Sequence, residues 1–197
     1  MVDKYENFKA LCASESKGAF SKSWKDRGSR YVIVAPHGGL IEPGTSEIAR
    51  EIARNDLSYY VFEGRKKNAN KDLHITSSNF DDPDCLALLG ACEIVLTVHG
   101  ERSEKRVVYL GGRNLELQNA LQNALTHAGF VVEFHVDPKL QGNHDKNICN
   151  LGSGRAGVQL EVPRGLRRQL FGGLRRQQLA NPTPLLKLFA DAIRSTL

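Results

Sequence analysis

The sequence predicts a single-domain α/β fold, a mostly parallel or mixed open sheet flanked by helices. Three observations carry that expectation. Short apolar runs rich in β-branched residues recur along the chain, amphipathic segments with helix-capping residues stand between them, and 197 residues suit one core rather than two.

YVIVA (31–35) is apolar and β-branched and ends at Pro36, the pattern of a buried strand. Thr45 to Arg54 starts on a capping residue, carries Glu47 in its first turn and sets Ile48 and Ile52 four apart, which makes it a short amphipathic helix. SYYVFEG (58–64) and LHIT (73–76) read as strands, DPDCLALLGA (82–91) as a helix opening near Pro83, and EIVLTV (93–98) as another buried strand. RVVYL (106–110) is a further strand. Asn114 caps a helix whose stripe is Leu117, Leu121, Ala124, Leu125 and Ala128, closed by Gly129. FVVEFHV (130–136) and GVQLEV (157–162) are strands on either side of a long polar segment, and PLLKLFADAIRSTL (184–197) is a terminal helix covering the sheet.

Composition excludes several classes of protein. Hydrophobic residues make up 41%, charged residues 25% and aromatics 7%, the balance of a packed globular chain. No apolar run approaches the roughly 20 residues of a membrane span, and the amino-terminal MVDKYENFKALCASESK mixes charges where a signal peptide needs an apolar stretch. A cytoplasmic protein without membrane contact is expected. Cys12, Cys85, Cys92 and Cys149 lack C-x-x-C spacing and are too few to staple the fold, so buried thiols in a reducing compartment are expected.

The net charge of +5 is concentrated: Arg155, Arg164, Arg167, Arg168, Arg175 and Arg176 stand against the single acid Glu161 over residues 155–176. Guanidinium groups suit bidentate recognition of carboxylates or phosphates, and a solvated helix face is the equal alternative. Only Phe171 is interleaved with these arginines and no nucleic-acid motif is present, so no nucleic-acid partner is expected.

Ligands of open α/β sheets bind beyond the carboxyl ends of the strands. His37 and Glu42 follow YVIVA in P-H-G-G-L-I-E, His99 follows EIVLTV, and Glu161 lies in the last strand. A catalytic zinc needs three protein ligands and an open position, and His37, Glu42 and His99 supply such a set. A lone histidine at a strand end more often only forms hydrogen bonds; two with an adjacent glutamate favour a metal. Glu161 then fits the carboxylate that takes a proton from water and delivers it to the leaving amine, with a salt bridge to a neighbouring arginine as the alternative. His74, at a strand edge, is placed to contact substrate, whereas His127, His135 and His144 suit structural or surface roles. HGG resembles a hydrolase oxyanion loop, but no G-x-S-x-G occurs in the chain. GSGRAG (152–157) precedes a strand rather than a helix, which excludes a dinucleotide site.

APHGGLIEPGTSEIA, LHITSSNFDDP, VHG followed by VVYLGGRN, and NICN followed by GVQLEVPRGLR resemble, in this order, the poly-γ-glutamate hydrolase family of bacteriophages and Bacillus prophages. The likeness covers roughly residues 28–172, the expected core of a domain spanning 1–197. It implies a fold like that of the zinc carboxypeptidases, one zinc per chain, and cleavage of the γ-amide bonds of capsular poly-γ-glutamate. In its terms His37 and Glu42 match the first metal motif, His99 the second, and Glu161 the catalytic glutamate. ERSEKR after His99 is more charged than the family pattern, and the tail beyond Phe171, with its basic 173–183 stretch, lies outside the resemblance. A polyanionic substrate suits the basic groove, with Arg164 and Arg167, which follow Glu161 closely, and Arg113 in GGRN as readers of its carboxylates. Release by host lysis fits a phage enzyme without a leader. The residues alone leave open a zinc carboxypeptidase, an N-acyl amino acid deacylase, and a non-catalytic polyanion-binding protein that uses the arginines; they say nothing of oligomeric state.

Overall fold

The structure, a computed structural model, describes residues 3–197, so the first two residues of the expected domain lie outside the described residues. Seven strands form one mixed sheet: β1 (Phe20–Lys25), β2 (Tyr31–Gly39), β3 (Ser58–Gly64), β4 (Ile94–His99), β5 (Val107–Gly112), β6 (Val131–Phe134) and β7 (Val158–Glu161). Their spatial order is β1-β3-β2-β4-β7-β5-β6. The central pairs β3–β2, β2–β4 and β4–β7 are parallel, as is β5–β6 at one edge, while β1–β3 and β5–β7 are antiparallel.

Alternation along each strand divides the core in two. Ile33 and Ala35 of β2, with Leu96 and Val98 of β4, face α2 (Thr45–Ala53), α4 (Leu115–His127), α5 (Arg164–Phe171) and α7 (Pro184–Arg194). Val32, Val34 and Val95 face the other way, onto α1 (Phe8–Ser14) and α3 (Pro83–Ala91). A side chain such as Ile33, wholly buried, contributes about 1.5–3 kcal/mol by leaving water. α1, α3 and α4 start at capping side chains, whereas Gly44 ahead of α2 offers none. Asp82 accepts the amides of Asp84 and Cys85 ahead of Pro83, and Asn114 accepts that of Leu117 at 3.0 Å.

Several expectations are corrected. β2 does not stop at Pro36 but continues to Gly39 across an irregularity: Ala35 pairs with Val61 and Gly38 with Glu63, three steps on β2 against two on β3. That extra residue is a bulge, where a proline can sit because no ladder bond is required of it. LHIT is not a strand. Asn70–Leu73 form a 3-10 turn, and the following His74 and Thr76 bond to Asp3 instead of to a neighbouring strand. The amino-terminal segment, without assigned elements in the sequence reading, supplies α1 and the edge strand β1. The basic region folds as α5 and a single short turn, α6 (Arg176–Leu179). Three cysteines are buried as expected, but Cys12 is exposed. Among the described residues no helix is long and apolar enough to cross a membrane.

Candidate active site

The bulge in β2 decides where His37 points. With unbroken alternation His37 would share the face of Ile33 and Ala35, beneath α2; one extra residue turns it to the opposite face. There its ring stacks on His74, centroids 4.0 Å apart, and lies 5.0 Å from the ring of His99. The following loop folds back tightly. Glu42 N–H donates to His37 O at 2.8 Å, and Gly38 must be glycine because a Cβ would stand 1.8 Å from Ser46 Oγ.

This return brings Glu42 Oε1 to 3.7 Å from His37 Nδ1, while Glu42 Oε2 accepts the Gly100 amide at 2.7 Å. His99, the last residue of β4, turns its Nδ1 to within 3.2 Å of His37 Nδ1. His37, Glu42 and His99 thus present three ligand atoms within 4.8 Å of one another. Their outer partners fit a metal. Nε2 of His37 donates to Ile75 O at 2.8 Å, and since a carbonyl only accepts, the neutral ring carries its lone pair on Nδ1, towards His99. Nε2 of His99 meets Ser77 Oγ at 3.4 Å. Two nitrogens bound tetrahedrally to zinc at about 2.0–2.1 Å stand about 3.3 Å apart, close to the separation seen.

The charges lead to the same conclusion. Burial alone would raise the pKa of Glu42, but the imidazoles, His37 foremost, bring it down to about 2. Burial is also the largest influence on His37, yet Glu42 outweighs it and raises the pKa. His99, buried and beside His37, falls to about 3. The cluster accommodates one positive charge, which a proton on His37 or a cation can supply.

Glu161 ends β7 in register with His99, so the two side chains share one face at the carboxyl ends of neighbouring parallel strands. It is 5% exposed, and burial followed by the negative charges of Glu42 and Glu101 raises its pKa well above the ordinary value. A carboxyl so placed is suited to accept and return a proton.

The four expected residues therefore meet, and His74 joins them, although from a loop. The arginines behave differently. Arg164 opens α5 half-exposed, three residues past Glu161 and 3.6 Å from Glu104, while the body of α5 packs on the sheet face opposite the cluster. Arg167 is not turned outwards to read a substrate: it is 4% exposed and donates to Val162 O, Pro43 O and Glu101 O at 2.9, 2.6 and 3.0 Å. It buckles together the segments that carry Glu161, Glu42 and His99. Arg113 is displaced because β5 runs antiparallel to β7. Its amide bonds the carbonyl of Gly157, four residues and so about 13 Å before Glu161 at roughly 3.3 Å per strand residue, and its side chain pairs with Asp145.

Sequence reasoning missed three contributors. Asp3 accepts from His74 Nδ1 and Thr76 N–H at 2.7 and 2.6 Å, a link across the whole amino-terminal segment that no local pattern encodes. Gln159 and Asn147 form a buried chain ending on Glu161; for Gln159 a signal existed, since it lies two residues before Glu161 and so shares its face.

A family model described as Poly-gamma-glutamate hydrolase matches residues 5–192. The SPbeta prophage-derived UPF0714 protein YoqZ of Bacillus subtilis (strain 168) is 40% identical over 171 residues, 86% of this chain; the match spans 62% of the length of YoqZ. A solved bacteriophage poly-gamma-glutamate hydrolase superposes with a TM-score of 0.95 at 29% identity, covering 99% of this chain and 96% of that one. A structure of YndL in its apo, zinc-free form superposes with a TM-score of 0.94 at 33% identity, covering 99% of this chain and 97% of that one.

Proposed function

The chain belongs to the poly-gamma-glutamate hydrolase family, and from that premise we propose that residues 1–197 form one zinc hydrolase domain cleaving the γ-glutamyl amide bonds of poly-γ-glutamate. The observation that carries the reading is the meeting of His37 Nδ1, His99 Nδ1 and Glu42 within 4.8 Å, beside a buried carboxyl with a raised pKa. His37, Glu42 and His99 would hold one zinc ion, a choice supported by the zinc-free description of the YndL structure. Bound there, zinc supplies Lewis-acid polarisation of the amide carbonyl and makes water more acidic.

The protein's own groups do the rest. Glu161 takes the proton of the attacking water and returns it to the departing nitrogen, so that the amine leaves neutral. His74, its ring stacked on His37 and fixed by Asp3, lines the approach to the ligands and contacts substrate. Arg164, half-exposed at the start of α5, offers a guanidinium fork to a side-chain carboxylate of the polymer. Polymer carboxylates are drawn by the chain's net charge of +5.

The test is elemental analysis of the purified protein alongside its action on poly-γ-glutamate and on α-linked polyglutamate. About one zinc per chain and chain scission of the γ-linked polymer are expected. Full activity without metal overturns the zinc assignment, and faster cleavage of the α-linked polymer overturns the substrate.

A further inference from the structure

Glu161 Oε1 accepts a hydrogen bond from Gln159 Nε2 at 3.0 Å. Gln159 Nε2 also meets Leu140 O at 3.1 Å, and its Oε1 accepts from Asn147 Nδ2 at 3.0 Å. Asn147 Oδ1 in turn accepts the Cys149 amide at 3.0 Å. All three side chains are buried. Both ends of this chain are backbone groups whose roles cannot change: a carbonyl only accepts and an amide N–H only donates. The Cys149 N–H therefore sets Asn147 with its amino group towards Gln159, and the Leu140 carbonyl sets Gln159 with its amino group towards Glu161. Neither amide can turn over without placing acceptor against acceptor in a buried site.

We propose that Gln159 is the positioning residue of Glu161: locked by Asn147 and Leu140, it reserves Oε1 as a permanent acceptor, so that the catalytic proton is taken up and returned at Oε2. In that step a proton passes from the attacking water to Oε2 and then from Oε2 to the departing amide nitrogen, while Oε1 keeps its bond to Gln159. The amide also fixes the carboxyl plane, so the base needs no reorientation in the transition state. The proposal rests on the reading of Glu161 as the proton carrier.

The experiment measures kcat, KM, zinc content and melting temperature for the zinc-loaded chain with poly-γ-glutamate as substrate. Four proteins are compared: wild type, Gln159→Leu, Glu161→Gln and the double variant. Gln159→Leu should lower kcat roughly 10- to 100-fold, as loss of an outer-shell partner commonly does, with KM and zinc content held within about twofold. Added to Glu161→Gln, it should change kcat by less than about twofold, because its route of action is already gone. The same fractional loss in both backgrounds marks an independent structural role and overturns the proposal. So does near-wild-type kcat in Gln159→Leu while Glu161→Gln is inactive. Near-normal turnover in Glu161→Gln is a different failure, which removes the proton carrier itself and this proposal with it. Should Gln159→Leu fail to fold, Asn147→Asp decides. It keeps the acceptor for Cys149 but sets a second acceptor against Gln159 Oε1, so kcat should fall at constant KM, and an unchanged kcat overturns the proposal.

Discussion

His37 and His99 turn their Nδ1 atoms towards each other at 3.2 Å, while the Nε2 of His37 is tied to Ile75 O and that of His99 faces Ser77 Oγ. His37 keeps the lone pair of Nδ1 towards His99, so either a proton on His99 Nδ1 or a cation between the rings satisfies the pair, and on the proposed reading that cation is zinc. Replacing either residue by alanine should remove zinc and activity together, since two protein ligands hold the ion poorly. Elemental analysis after dialysis reads the result; full zinc content in His99→Ala contradicts the ligand set.

Gly100 is where the loop after His99 touches Glu42. Its amide donates to Glu42 Oε2, and a Cβ there would stand 2.8 Å from Arg167 Cζ and 2.9 Å from Glu42 Cβ. Gly100→Ala should therefore push Glu42 aside and weaken zinc binding by roughly 10- to 100-fold without unfolding the sheet. Competition with a chelator measures the affinity, and an unchanged value refutes the prediction.

Arg164 and Arg167 should separate cleanly. Arg167→Met removes the donors of three buried carbonyls and should cost about 3 kcal/mol of stability, read by denaturant melts. Arg164→Lys should leave stability within about 0.5 kcal/mol but lower kcat/KM, because lysine keeps the charge and loses the fork. A defect that persists at high salt supports docking of a substrate carboxylate; no defect at either salt rejects it.

Acid stability should depend on Glu63. Burial works to raise its pKa, but the bidentate bond from Arg50, at 3.0 and 3.1 Å, prevails and lowers it. A lowered folded-state pKa gives stability that is fully present above the ordinary value of 4.5 and lost as the pH falls through the folded value. The pair ties α2 to β3 and, with Arg50 38% exposed, is worth about 1 kcal/mol after solvent screening. Arg50→Met should melt lower than wild type near pH 7, and the gap should close below pH 4.5. Melting metal-free protein across this range checks it; a constant gap contradicts it.

The strands legible in sequence are those with continuous β-branched runs, such as YVIVA and EIVLTV, and the histidines at their ends meet Glu42 in one cluster. What the sequence did not reveal has physical causes. The sense of a strand leaves no mark on its composition, so β5 was free to run antiparallel to β7 and carry Arg113 away from the site. The bulge beside Pro36 adds a single residue, too little to disturb an apolar pattern but enough to turn His37 to the other face. Arg167 reads in sequence as a partner of substrate carboxylates because it follows Glu161 closely in a stretch with five other arginines; only tertiary structure shows three carbonyls converging on it. LHIT carries alternation of strand type, yet its polar members bond to Asp3.

That last contact bears on how the protein is best handled. Asp3 is anchored beside His74 in the wall of the candidate site, so a tag or fusion partner joined close before it acts on His74's hydrogen-bonding partner. Leu197, by contrast, packs with α7 against the opposite face of the sheet. A purification handle at the carboxyl end leaves the anchor undisturbed, and assays on amino-terminally tagged protein should be compared with a cleaved sample before any rate is ascribed to the enzyme itself.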